Sequence, residues 1–265
     1  MDAPTTPAVV PPDQLPVPQH PPQIELTAEE LAKITHGAPV FPYLGIPSAD
    51  DTLYFRTAAA AVNFCVDFGI EKTLPFGRQF EVSSLLCKNF NSLYSHALNG
   101  RKTHGVTHFF LLHNDVGPVP NDWGSRMLTI MQRDKLHALS AVISIRGNGL
   151  DSSTAWEADG KEPRRRVAIG EITGTVNSRD NRRLLINTGC LCIDLRHPAA
   201  DSLYFAMKDG VRRRPDGIYE PFNESEDYNL SHMMRKAGMD FGATAEFEVL
   251  HCGRRDWSNL PAAKA

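Results

Sequence analysis

One aspartate stands where a parallel α/β sheet would place its chemistry. Asp115 follows the apolar run His108–Leu112, which has the length and composition of a parallel strand covered on both faces. Ligands bind beyond the carboxyl ends of such strands, because loops and helix N-termini converge there. A carboxylate at this position can hold a divalent cation, which can neutralise a diphosphate leaving group. Because Gly117 and Pro118 follow, an ordinary turn fits the pattern as well.

A second group of carboxylates opens the helical pattern at residues 225–237: Glu224, Glu226 and Asp227. A carboxylate beside a bound sugar can take the proton from an attacking hydroxyl and so act as a general base. The same carboxylates would also complement the positive end of the helix dipole. The pattern alone leaves both roles open.

The elements that must position these side chains alternate between strands and helices. Strand-like apolar runs cover residues 40–46, 107–112, 138–145, 184–195 and 245–250. Helical spacing of apolar residues covers 52–68, 83–98, 125–137 and 225–237. This alternation predicts an α/β fold whose central sheet is mostly parallel, with right-handed crossovers and flanking helices. The polar stretch 146–183 predicts an irregular or hairpin insertion.

The chain divides into four segments by composition. Residues 1–25 hold eight of the 19 prolines and predict a flexible leader. Thr27 and Glu30 resemble a capping box, which predicts a short helical extension within 26–39. We expect one domain over 40–255, followed by a C-terminal tail over 256–265.

Composition excludes several classes of protein. The hydrophobic fraction of 42% and the charged fraction of 22% are those of an ordinary globular chain. No apolar run approaches the roughly 20 residues that span a bilayer, and the N-terminus does not resemble a secretory signal. A cytoplasmic protein without a membrane partner is therefore expected. The five cysteines lack CxxC pairs, which predicts buried free thiols.

Charge gives a mixed indication about nucleic acid. The net charge of −3 provides no overall attraction to a polyanion. Local clusters of arginine could still form a basic face, although such runs are more often solvated loops. The clusters are 164–166, 182–183, 212–214 and 254–255.

The stretch THFFLLHNDVGPVPNDW at 107–123 resembles the GT-A glycosyltransferases, particularly the large family 2 group. In that group an apolar strand leads into Asp-x-Asp, a proline-containing loop, an aromatic residue and a helix. The resemblance makes Asp115 the metal-coordinating aspartate and places Asn114 near the ribose or diphosphate. His113 stands where the first aspartate usually does, and an imidazole suits Mn²⁺ or Zn²⁺ better than Mg²⁺.

Two later stretches extend this resemblance. ESEDYNL at 224–230, followed by RKAG at 235–238, is similar to the helix on which inverting members carry a Glu-Asp pair. It implies that Asp227 is the general base, with Glu226 beside it. EVLHCG at 248–253 resembles the place of a further metal ligand, His251. That assignment depends on Asp115 also being a ligand.

The resemblance also implies a nucleotide pocket in the N-terminal half. The first strand and its loop would hold the nucleoside, a Lys-Asn pair would contact phosphate and ribose, and the segment 187–190 would line the donor sugar. The residues expected to bind the donor are Pro47, Asp50, Asp51, Lys88, Asn89, Asn114, Asn187 and Gly189.

The function implied is transfer of a sugar from a nucleotide diphosphate sugar, such as a UDP-sugar, with a divalent metal, Mn²⁺ or Mg²⁺. Inversion at the sugar is expected, and a hydroxylated base in phage DNA is one candidate acceptor. A degenerate sugar-nucleotide-binding module is an alternative, since His113 replaces an aspartate. A nucleotidyltransferase is another, but it normally has a Gly-rich basic loop after the first strand, which residues 46–50 lack.

Overall fold

The computed structural model describes residues 40–48, 52–70, 78–82, 85–146, 149–253 and 256–260. The leader and the extension expected within 26–39 lie outside these ranges, as do Asp50 and Asp51. The described part is a mixed α/β fold. None of its helices is both long enough and apolar enough to cross a membrane.

Four α-helices and one short 3-10 helix occur in the described ranges. They are α1 (Phe55–Asp67), α2 (Leu86–His104), α3 (Trp123–Asp134), α4 (Glu226–Lys236) and the 3-10 helix Pro198–Ser202. All four predicted α-helices are therefore confirmed. The second runs six residues beyond its predicted end at residue 98, and it stops at Gly105, whose φ of 70° suits glycine.

Within the described residues, the strands form one large sheet and three small ones. The large sheet contains β1 (Pro42–Ser48), β2 (Arg78–Val82), β3 (His108–Leu112), β5 (Ala138–Ala141), β8 (Thr175–Asn177), β10 (Cys190–Asp194) and β13 (Phe241–Thr244). The small sheets contain β4 (Val116–Pro118), β6 (Asp151–Trp156), β7 (Arg165–Ala168), β9 (Leu184–Leu185), β11 (Lys208–Arg213), β12 (Tyr219–Glu224), β14 (Val249–His251) and β15 (Trp257–Ser258).

The large sheet is mostly parallel, as predicted, but it also contains antiparallel strands. Its order is β2-β1-β3-β10-β5-β13-β8. β1 is parallel to β2 and β3, and β5 is parallel to β13. β10 is antiparallel to both of its neighbours, and β8 is antiparallel to β13. The insertion predicted over 146–183 contains the antiparallel strands β6 and β7, and the chain then enters β10 from the carboxyl edge of the sheet.

The core lies on both faces of this sheet. Alternate residues of β3 point to opposite sides, so Phe109 packs with α2 and α4 while Phe110 packs with α1 and α3. Both side chains are fully buried, as expected for a strand covered on both faces. Cys190 and Cys192 lie on the α1 side and are free thiols, which confirms a packing role.

The last predicted strand, 245–250, is wrong in its position. The chain leaves the large sheet at Thr244 and forms β14 only from Val249, in a separate sheet with β4 and β15. His251 ends β14 and pairs with Val116 of β4. This small sheet places His251 beside the residues that follow β3.

Asn259 fastens this small sheet. Its side chain accepts a hydrogen bond from the Val249 N–H at 2.9 Å and donates to the Phe247 carbonyl at 3.1 Å, and it is 1% exposed. Asn259→Ala leaves both buried backbone groups without these partners, so we expect the free energy of unfolding to fall by about 2 kcal/mol. Urea denaturation measures it. Asn63→Ala, which removes an exposed side-chain pair with Asn121, should cost less than about 0.5 kcal/mol.

Candidate functional site

The candidate functional side chains lie at the carboxyl edge of the large sheet. β1, β3 and β5 end there, and β10 begins there because it runs in the opposite direction. The segment 187–189 before β10 therefore lies beside residues 113–115 after β3, and the His113 N–H donates to the Gly189 carbonyl at 2.9 Å. Side chains far apart in sequence meet at this edge.

Asp115 and His251 face each other, as the resemblance implies. His251 Nδ1 lies 2.7 Å from the Ser144 carbonyl oxygen, which can only accept, so Nδ1 carries a proton. Nε2 lies 3.4 Å from Asp115 Oδ2, and in a neutral imidazole it is a second acceptor. Two facing acceptors need a further proton or a cation between them.

Arg146 supplies positive charge at the same carboxylate. Its guanidinium donates to Asp115 Oδ2 at 2.6 Å and lies 5.6 Å above the centre of the Tyr54 ring. Burial raises the pKa of Asp115, but the hydrogen bond with His251 and the electrostatic effects of His113, His251 and Arg146 lower it by more. The net pKa shift is downward, so Asp115 is ionised at neutral pH.

His113 is half-buried and neutral. Burial lowers its pKa to about 4, with Asp115 opposing this shift and His251 adding to it. The ring lies on Phe90 with centroids 5.0 Å apart, and Nε2 is 3.4 Å from the Thr188 hydroxyl oxygen. That imidazole therefore joins the Asp115 region to the segment before β10.

Asp227 lies in the first turn of α4, and its carboxyl is held by Thr188, in the segment before β10. Its Oδ1 accepts from the Thr188 N–H at 2.8 Å and from the Thr188 hydroxyl at 2.5 Å. The hydroxyl proton is thus committed to Asp227, so His113 Nε2 must donate to Thr188 and His113 Nδ1 keeps the lone pair. Thr188 links the two predicted halves of the site.

The carboxyl of Asp227 has an unusual affinity for protons. Burial and then the neighbouring Glu226 charge raise its pKa to about 7, although the two hydrogen bonds from Thr188 lower it. Burial also raises the pKa of Glu226, which is 7% exposed. Two carboxyls in this environment do not both ionise readily at neutral pH, and one of them is poised to exchange a proton.

Thr188→Val tests this arrangement without any substrate. The substitution keeps the N–H donor and removes the hydroxyl, so the Asp227 pKa should rise above 7, by about one pH unit for a hydrogen bond of roughly 1.5 kcal/mol to a charged group. The titration of ¹³C-labelled aspartate carboxyls by NMR measures it, with Asp227→Asn to assign the signal. Thr188→Ser keeps the donor and should titrate like the unaltered chain; an unchanged midpoint in the valine variant would contradict the assignment.

Asn187 and Gly189 shape the segment that presents Thr188. The Asn187 amide donates to the Ala141 carbonyl at 2.8 Å and accepts from the Gly189 N–H at 3.0 Å. A Cβ on Gly189 would lie 2.5 Å from the end of the Ile143 side chain, so glycine fits here by size. Both residues were expected to bind the donor, and their contacts in this structure hold the backbone.

The other residues expected at the nucleotide lie around the β1 edge. Asn114 donates to the Thr52 carbonyl at 3.1 Å, and Asn89 donates to the Ser48 carbonyl at 3.0 Å, so both amides fasten the chain on either side of residues 49–51. Pro47 is buried within β1, and Lys88 is exposed on the first turn of α2. Donor binding by these four residues remains a prediction.

Sequence reasoning missed two residues of this site, Thr188 and Arg146. Thr188 was part of a segment assigned to the sugar, but its contact with Asp227 depends on the antiparallel direction of β10. Arg146 follows β5 at the same sheet edge as Asp115. The rule that ligands bind beyond strand ends could have singled it out, since a basic residue there suits an anionic substrate.

The arginine clusters are largely paired with acids. Arg164 donates to Glu157 at 2.8 Å and to Glu224 at 2.9 Å, and Arg212 pairs with Glu220 at 2.5 Å. Further pairs are Arg165–Glu171, Arg183–Asp159, Arg183–Glu162 and Arg214–Asp216. Arg254 and Arg255 lie outside the described residues. Local pairing thus offsets much of the positive charge that the sequence suggested.

Comparison with known proteins gives structural similarities only. No family model and no curated protein sequence matches the chain. The protein A197 from STIV has a TM-score of 0.49 at 12% identity, over 84% of this chain and 98% of its own. A variant of UDP-glucose pyrophosphorylase from Leishmania major, in complex with UDP-glucose, has a TM-score of 0.34 at 10% identity, over 78% and 61%. CMP:2-keto-3-deoxy-manno-octonic acid synthetase with CTP has a TM-score of 0.31 at 7% identity, over 76% and 88%. None of these three is described as a glycosyltransferase, and similarity at this level carries no argument about activity.

Proposed function

We propose that this chain is a metal-dependent glycosyltransferase with a GT-A-like domain, which moves a sugar from a nucleoside diphosphate sugar to an acceptor hydroxyl with inversion. The observation that carries the proposal is Asp227, a partly buried carboxyl that accepts two hydrogen bonds from Thr188 and whose pKa is raised by burial and by Glu226. Through Thr188 and His113 it is joined to the Asp115 end of the same sheet edge. Asp227 and the pair of Asp115 and His251 thus lie along one edge of the sheet.

The chemistry assigned to Asp227 is general base catalysis. Its ionised carboxylate takes the proton of the acceptor hydroxyl while that oxygen forms a bond to the anomeric carbon. The bond from that carbon to the diphosphate oxygen breaks, and the nucleoside diphosphate leaves with the electron pair. Attack from the face opposite the leaving group inverts the carbon. Thr188 keeps the carboxylate oriented throughout.

The residues present fit a divalent ion. Asp115 Oδ2 and His251 Nε2 are 3.4 Å apart, and two ligands each about 2.1 Å from one ion lie about 3.0 to 3.4 Å from each other. The described residues contain no group of three or more His, Cys, Asp or Glu side chains able to hold a metal. Two protein ligands suffice where substrate phosphates and water complete the shell. A bound cation would neutralise the charge on the departing diphosphate.

Nucleotidyl transfer is the competing enzyme class. In that reaction the nucleophile attacks a nucleoside triphosphate and pyrophosphate leaves, so the two activities differ in the product that they release. The third candidate, a binding module without turnover, releases neither product.

One experiment separates the three. The purified chain is incubated with Mn²⁺ and a panel of nucleotide sugars, and the released nucleotide is measured with and without EDTA. A glycosyltransferase releases nucleoside diphosphate slowly by donor hydrolysis, and EDTA stops the release. Pyrophosphate release from a nucleoside triphosphate and a sugar phosphate would instead establish nucleotidyl transfer. Binding of a sugar nucleotide without any release would establish the binding module.

DNA with hydroxylated bases is the acceptor class to test first. The exposed hairpin formed by β11 and β12 directly precedes the helix that carries Asp227, and on it Arg213 lies over the Tyr219 ring at 6.0 Å. Retention on immobilised DNA should fall steeply as salt rises, because phosphate contacts release counterions. A chain that passes through the DNA column at low salt has a different acceptor.

A further inference from the structure

The Asp115 carboxylate is engaged by two groups at one oxygen. Arg146 donates to Oδ2 at 2.6 Å, and His251 Nε2 lies 3.4 Å from the same atom. The Asp115 side chain is 22% exposed and that of Arg146 is 40% exposed. The guanidinium is therefore the more exposed member of the cluster, while the imidazole is held by the Ser144 carbonyl.

A divalent cation and the Arg146 guanidinium compete for this carboxylate. Both are positive, and a cation held by Asp115 and His251 would share the Oδ2 atom with the guanidinium. Like charges a few ångströms apart repel each other, and solvent screening weakens this repulsion at a half-exposed side chain. Cation binding therefore favours release of Arg146 from Asp115.

The surroundings of Arg146 indicate what its guanidinium would contact after leaving Asp115. Among the described carboxylates, Asp115 is the one with which it pairs, and its guanidinium already lies over the Tyr54 ring at the start of α1. A diphosphate held by the cation would bring anionic oxygens to the position next to Asp115. Guanidinium groups bind phosphate oxygens through paired hydrogen bonds, so the exchange replaces one charge-assisted contact with another.

We propose that Arg146 exchanges partners, pairing with Asp115 in the unloaded chain and with the donor diphosphate once a divalent cation occupies Asp115 and His251. This inference rests on the proposed function, because it assumes that the cation and the diphosphate bind at this edge. It makes Arg146 both a competitor of the metal and a ligand of the nucleotide. Removing the guanidinium must then affect the two ligands in opposite directions.

Arg146→Met tests the exchange, since methionine keeps most of the apolar stem and removes the charge. Binding of Mn²⁺ alone is measured by the loss of the free-ion EPR signal, and binding of UDP, GDP and ADP at saturating Mn²⁺ by calorimetry. Affinity for Mn²⁺ should rise by about three- to tenfold, as expected on losing an ion pair of this exposure. Affinity for the nucleoside diphosphate that binds the unaltered chain best should fall by about tenfold or more.

Arg126→Met is the matched control. Arg126 is an exposed arginine with a 2.7 Å ion pair to Asp122, and its loss should change either affinity by less than about twofold. A general structural effect of the Arg146 change would weaken both ligands together, and that result, or unchanged Mn²⁺ affinity, overturns the exchange alone. If the unaltered chain binds no Mn²⁺, the proposed metal site fails together with the exchange. Mn²⁺ binding without binding of any of the three nucleotides refutes the diphosphate role of Arg146.

Discussion

Replacing Asp227 with asparagine should lower the rate of sugar transfer by about 10²- to 10⁴-fold, the usual contribution of a general base. Asparagine keeps the size of the side chain and an oxygen that can accept from Thr188, but it cannot take a proton at neutral pH. Donor affinity should stay within a few-fold. The loss therefore falls on kcat, and steady-state kinetics with separate kcat and KM values measure it.

The pH dependence of the same reaction gives a second readout. The base acts when ionised, so the rate of the unaltered chain should rise with pH through a midpoint near 7, where Asp227 loses its proton. Glu226→Gln removes the charge that helps to raise this pKa, so the midpoint should move to lower pH. Should Glu226→Gln abolish turnover while Asp227→Asn keeps it, the base is Glu226 and our assignment is wrong.

The stability of the Asp227→Asn variant shows whether its loss of activity comes from loss of the base or from unfolding. The folded-state pKa of Asp227 is raised above its usual value, so its contribution to stability is present at low pH and is lost as pH rises through about 7. At pH 8 the unaltered chain must keep a partly buried charge next to Glu226, and the asparagine variant does not. The variant should therefore unfold at a higher urea concentration at pH 8 while being far less active.

The local sequence pattern correctly predicted that Asp115 follows a strand and that Asp227 lies at the start of a helix. Asp115 follows a strand whose continuous apolar run was sufficient to place it between two packed faces, and Asp227 begins a helix with a recognisable period. Both signals are local in sequence. The link between them was not predictable from the same information, because it runs through Thr188 and requires β10 to enter the sheet at the carboxyl edge.

The direction of β10 could not be read from its residues. A buried strand has an apolar composition whether its neighbours are parallel or antiparallel, and the direction depends on how the polar insertion returns the chain. The same dependence on distant pairing explains why the last strand was predicted at 245–250, whereas β14 begins at Val249. Phe241 is as apolar as Val249, and pairing with the distant strands β5 and β4 decides which segment joins which sheet. The pairing of Arg146 with Asp115 is equally non-local.

Asp115→Asn should abolish most of the metal dependence of this site. A direct ligand contributes more than an outer partner, whose loss already costs about 10- to 100-fold in metal affinity, so we expect Mn²⁺ affinity to fall by at least about 100-fold. Turnover should fall with it, because the departing diphosphate loses its counter-charge.

The change is conservative in shape, and Asp122→Asn is its control, an exposed carboxylate paired with Arg126 that should leave Mn²⁺ binding unchanged. Asp115→Asn and Arg146→Met then move Mn²⁺ affinity in opposite directions, although both break the same 2.6 Å ion pair. A purely structural ion pair would give the same sign for both. Equal Mn²⁺ affinity in Asp115→Asn and the unaltered chain would place the cation elsewhere and leave the pair of Asp115 and His251 with a structural role.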